Sequence, residues 1–81
     1  MAKISLVGQI SEVDREIRMR EQVYPKQIRD GKMRQAEAEL AMERIHAVRA
    51  TLVFIQENEA EIRAFIEQRK QERAATSRGQ A

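Results

Sequence analysis

Two apolar patterns of unequal length flank the break Val23-Tyr24-Pro25 … Gly31-Lys32-Met33. Before it, Leu6, Ile10, Val13, Ile17 and Tyr24 advance in steps of four and three, with Arg20 filling the one polar step. That spacing lays them along one side of an α-helix. Asp14, Arg15, Glu16, Arg18 and Glu21 lie largely off the stripe, and Val7 and Met19 are placed to widen it. After the break, Ala41, Ile45, Val48, Leu52, Ile55, Ile62 and Ile66 hold one heptad register, with Met33, Leu40, Ala47, Phe54 and Phe65 beside it. No Pro or Gly interrupts residues 32–78.

The expected fold is all-α: an antiparallel helical hairpin with a long second helix, in a single domain over residues 1–73. The first helix is expected over about residues 5–23, the connector over 24–33 and the second helix over about 34–73, followed by a flexible tail at 74–81. Pro25 ends or kinks the first helix, because its ring clashes with the preceding turn and it pushes Tyr24 towards an extended conformation. It also suits the first position of a short helical turn over residues 25–29, which Gly31 would close in the left-handed region. The polar run Gln56-Glu57-Asn58-Glu59-Ala60-Glu61 is the weak point of the long helix. Asn58 with Glu61 resembles a capping box, but a continuous helix is favoured there.

At 1.5 Å per residue the second helix measures roughly 60 Å against roughly 30 Å for the first. A fold-back therefore covers only half of it. Eighty-one residues without cysteine have a limited core and no disulfide to reinforce it. The expected cover is a second copy, giving a coiled-coil-like dimer or a larger helical bundle. Ile45, Val48, Leu52, Ile55, Ile62, Phe65 and Ile66 are the candidate interface. The alternative is a monomer that breaks at Asn58 and folds its last segment back.

Catalytic chemistry finds few residues to work with. There is one His and no Cys, and the three glycines, at positions 8, 31 and 79, form no phosphate-cradling loop. Glu43-Arg44-Ile45-His46 is a Glu-x-x-His step of the kind found in two-metal bundles, but it lies off the apolar stripe and reads as a solvated pair. No enzyme activity, metal or cofactor is expected. The apolar run Ile4 to Gly8 is too short for a signal-peptide core, and no run approaches a membrane span. A cytoplasmic protein is expected.

Basic residues gather around the break. Arg15, Arg18, Arg20, Lys26, Arg29, Lys32 and Arg34 stand against Asp14, Glu16, Glu21 and Asp30, a net of +3 over residues 14–34. With Tyr24 among them, they form a candidate anion or ligand site, since guanidinium groups bind phosphate bidentately and an aromatic ring stacks on a base. For each residue alone, a solvated face with local pairs such as Glu16 with Arg20 is the expectation.

The run from Arg20 to Ala38, with its Val23-Tyr24-Pro25, Gly31-Lys32-Met33 and Ala/Glu-rich continuation, resembles a family of small, mostly uncharacterised bacteriophage and prophage proteins. The resemblance covers residues 15–52 at most. It departs at Arg34, where family members often carry a Ser or Thr that would cap the second helix. It implies a phage-encoded accessory protein in the host cytoplasm. Such a protein would interfere with a host process, anti-defence included, by binding a host protein or sequestering a phosphorylated or nucleotide ligand. The alternatives are a nucleic-acid-binding or regulatory helical protein and a structural coiled-coil or virion component.

Overall fold

The computed structural model describes residues 3–79, with side chains described for residues 3–76. It contains three helices, α1 (Leu6–Arg29), α2 (Gln35–Glu57) and α3 (Glu59–Gly79), and no strand among the described residues. Ser5 caps α1, its hydroxyl accepting a 3.0 Å bond from the Gly8 N–H. α1 packs antiparallel on α2, and no Cα of α3 comes within 8 Å of a Cα of α1. The longest dimension is 68 Å. That is about the length of α2 and α3 laid end to end at 1.5 Å per residue. The molecule is a rod with a hairpin at one end.

The stripe on α1 faces α2 as its spacing requires. Ile17 is buried, and Leu6, Ile10, Val13, Arg20 and Tyr24 are half-buried. Val7 and Met19 do not widen that face; both are exposed. On α2 the seam is centred on Ala38, Met42, Ile45, Arg49 and Leu52, which recur at steps of four and three. Ile17 and Ala38 are the only buried apolar residues among those described, and neither is fully enclosed. Two helices in a single layer cannot enclose more, so the hairpin has a seam rather than a core.

Three boundaries differ from the sequence expectation. α1 does not stop at residue 23 but runs through Pro25 to Arg29, leaving a connector of five residues, 30–34, instead of 24–33. Pro25 removes one helical hydrogen bond, that to the Glu21 carbonyl, and both residues are exposed, so water can satisfy the oxygen. The continued turn keeps Tyr24 and Ile28 half-buried against α2. It then closes on Gly31, at φ 74°, in a Schellman motif: the Gly31 N–H bonds the Ile28 carbonyl at 3.1 Å and the Lys32 N–H bonds the Gln27 carbonyl at 2.9 Å.

The second helix, expected to be continuous over 34–73, is interrupted at a single residue, Asn58, with φ −112° and ψ 13°. The Asn58 amide does not cap forwards onto Glu61. It reaches back and donates to the Phe54 carbonyl at 2.8 Å, competing with the backbone for that acceptor. The Ile62 N–H still bonds the Asn58 carbonyl at 2.9 Å, so the chain continues outwards and α3 does not return as a third hairpin helix. Residues 74–79, expected as part of a flexible tail, prolong α3, with the Thr76 hydroxyl bonding the Glu72 carbonyl at 2.9 Å; residues 80–81 lie outside the described residues.

An interior proline costs about 3 kcal/mol or more, and removing it returns about 1 kcal/mol of unfolded-chain entropy. Pro25→Ala is therefore expected to stabilise the protein by about 2 kcal/mol in denaturant titration. A residue that merely opened a new helical turn would give no gain.

Candidate binding surfaces

The basic cluster does not converge. α1 carries Arg20 and Tyr24 into the seam, one turn apart on the side of Ile17. The Arg20 guanidinium lies 5.9 Å from the centre of the Tyr24 ring, donates to Glu16 at 3.0 Å and crosses to the Ala41 carbonyl at 2.9 Å. It serves as a strut between the helices, with two of its five N–H donors engaged in these bonds. Arg15, Arg18, Lys26 and Arg29 are exposed on the opposite side of α1, spaced over about 20 Å. Arg15 pairs there with Glu12, whose hydrogen bond from Arg15, reinforced by the charge, lowers the Glu12 pKa. Lys32 lies in the connector, and Arg34 takes the N-cap position of α2. The expected eight-residue anion site is thus divided among a seam, an outer face and a loop.

Arg34 offers no side-chain cap. Glu37, in the first turn, substitutes for one. Its carboxylate accepts from the Arg34 guanidinium at 2.7 Å, and that hydrogen bond, then the opposite charge, lowers its pKa, with the Arg34 backbone N–H adding to the effect. A carboxylate at this end of the helix also meets the positive pole of the backbone dipoles.

An ion pair that periodicity did not single out spans the seam. Arg49 donates to Asp14 at 2.6 Å, thirty-five residues away in the chain, and the bond raises the Arg49 pKa. At the hairpin end, an open groove of about 420 Å³ is lined by Tyr24, Pro25, Ile28, Ala38 and Met42 together with the polar Arg20, Glu21, Gln35, Glu39 and Glu43. Glu43 and His46 are both exposed, and no group of His, Cys, Asp or Glu among the described residues is arranged to hold a metal ion. No helix there is long and apolar enough to cross a membrane.

The candidate interface also divides. Ile45 is half-buried beside Arg20 and Tyr24, and Ile55 and Ile62 border a hollow shared with Leu6 and Gln9. Leu52, seven residues from Ile45, is half-buried on the same side. These four are at least partly engaged within the chain. Val48, Phe65 and Ile66 remain exposed, at 47%, 61% and 48%. Phe54 and Leu40, which sequence placed only beside the stripe, are exposed as well, Phe54 at 62%. The seam is rotated about α2 relative to the expected register, because Arg49 rather than Val48 meets α1. The signal that could have found this is Asp14, an acidic residue next to a stripe position, with Arg49 at the matching distance beyond the turn.

No family model matches the chain, and no curated protein or solved structure shows a significant match.

The lowered Glu37 pKa gives a signed pH dependence. Its contribution is full above the ordinary value of 4.5 and is lost as pH falls through the lower folded-state value. The melting temperature of the wild type is expected to exceed that of Glu37→Gln near pH 7, and the gap to close below pH 4.5.

Proposed function

We propose that this chain is a non-enzymatic helical binding protein that self-associates along the exposed apolar side of its rod. One observation carries the reading. α2 places large apolar side chains on both sides of its axis, and α1 covers only one of them. A helix that is apolar on two sides is normally buried on two sides. Leu40, Phe54 and Phe65, on the side away from α1, therefore form a surface of the kind that marks a protein–protein interface, with Val48 and Ile66 exposed beside the seam.

The assembled rod would present the hairpin end, with its apolar groove at Tyr24 and Pro25, to a further protein. The phage-type resemblance assigns that contact to interference with a host process, anti-defence included. The dispersal of the basic cluster favours a host protein over a phosphorylated small ligand as the target: of that cluster Arg20 alone shares a hollow with Tyr24, beside Arg44. A second reading, nucleic-acid binding, is supported by the outer face of α1, where Arg18, Lys26 and Arg29 have no acidic partner among the ion pairs of the described residues. It would contact phosphates without reading bases.

Sedimentation equilibrium at micromolar concentration is expected to give a mass above that of the monomer. Phe54→Asp is expected to weaken the assembly by at least about tenfold, the scale of an aromatic anchor at an interface. A monomer with a fully cooperative melt would sink the reading. For the alternative, binding to duplex DNA that falls steeply between about 50 and 200 mM salt, and that is lost in an Arg18→Ala/Lys26→Ala/Arg29→Ala variant, would favour nucleic acid. Salt-insensitive or absent binding would remove it.

A further inference from the structure

We infer that two copies associate antiparallel, with α3 of each lying over the first half of α2 of the other and Phe54 at the two-fold axis. The inference rests on the self-association proposed above and adds the direction, register and residues of the contact.

Leu40, Ala47 and Phe54 recur every seven residues on the side of α2 away from α1. Phe65, eleven residues after Phe54, continues nearly the same line, because eleven residues also make a near-whole number of turns. The charges along this line are unevenly distributed. At its start lie Glu37, Glu39 and Glu43, with Arg44 beside them, all exposed, so that end is acidic by net charge. Towards its end lie Arg69, Lys70 and Arg73, also exposed, with Arg69 stacked 6.0 Å from the centre of the Phe65 ring. Glu72, seven residues after Phe65, lies on the line between Arg69 and Arg73, so this end is basic by net charge, and Glu67 lies on the far side of α3. A parallel, in-register pair would set Glu39 and Glu43 against themselves and Arg69 and Arg73 against themselves. An antiparallel pair sets acid against base at both ends, and complementary charge of this kind fixes direction and register.

The same register fixes what meets at the centre of the contact. Phe54 stands fifteen residues from Glu39 and fifteen from Arg69, so pairing those two places Phe54 opposite its own copy. Glu43 then faces Phe65 and its stacked Arg69, and Ala47 faces Glu61. The contact is isologous and closes as a dimer, leaving no free edge for further growth. It also covers the half of the rod that α1 does not reach.

Because the chain has no cysteine, disulfide trapping can read the arrangement directly. Ala47→Cys and Glu61→Cys are prepared separately, and circular dichroism checks that helix content is retained. Mixed and oxidised, they are expected to give a 47–61 heterodimer, while Ala47→Cys alone gives little dimer. In this register its two thiols lie about 20 Å apart, beyond disulfide reach. Efficient 47–47 linkage, or no linkage between proteins that still sediment as dimers, overturns the antiparallel arrangement and leaves self-association standing. A monomeric wild type overturns both.

A charge-reversal pair tests the cause. Glu39→Lys/Glu43→Lys and Arg69→Glu/Arg73→Glu are each expected to weaken homodimerisation by about tenfold or more, and their mixture to restore it. Unchanged homodimers would refute the charge argument.

Discussion

Two helices can share only as much seam as the shorter one offers. α1 has 24 residues and spans about 36 Å, whereas the rod formed by α2 and α3 extends along a 68 Å molecule. Everything else about this protein follows from that inequality. The seam is one layer deep, with Ile17 and Ala38 its only buried apolar residues among those described. The remaining apolar side chains have no second layer to enter. Phe54 and Phe65, two of the three aromatic residues, end up facing outwards.

Polar contacts do more in such a seam than they would in a globular core. Arg20 occupies a position where the stripe calls for an apolar residue, yet its stem packs while its guanidinium reaches Glu16 and the Ala41 carbonyl. Asp14 and Arg49 form a second tie further along. Neither is deeply desolvated, so each contributes modestly to stability. Their geometric effect is larger: both link fixed points on the two helices and so select one sliding register from several that apolar contacts alone would tolerate.

The all-helical character and the seam side of α1 were legible in the sequence because they depend on periodicity, which a single chain displays. The boundaries were less legible. Pro25 has a strong local preference, and the burial of Tyr24 and Ile28 together with the Gly31 cap overrides it. Asn58 reads as a weak point within a helix expected to be continuous; that the helix breaks there, and whether the Asn58 amide bonds forwards or backwards, depends on backbone geometry that composition does not encode. The apolar register of the second helix was misleading for a specific reason. Val48 and Arg49 are neighbours, and hydrophobicity assigns the seam to the first, while the cross-chain partner Asp14 assigns it to the second. The basic cluster was compact in the sequence and dispersed in space, since residues on a helix separate by about 100° with each step.

The one-residue interruption at Asn58 has a mechanical consequence. It sits near the middle of the rod, where the hairpin ends and, among the described residues, only the hollow at Leu6 and Gln9 lies against the helix that continues. α3 is about 30 Å long, so a bend of about 10° at this single joint swings its far end through about 5 Å. The bend depends on the hydrogen bonds that converge on the Phe54 carbonyl. Substitutions at one position can therefore re-aim about a quarter of the molecule without disturbing the hairpin, which makes residue 58 the point from which the overall shape is steered.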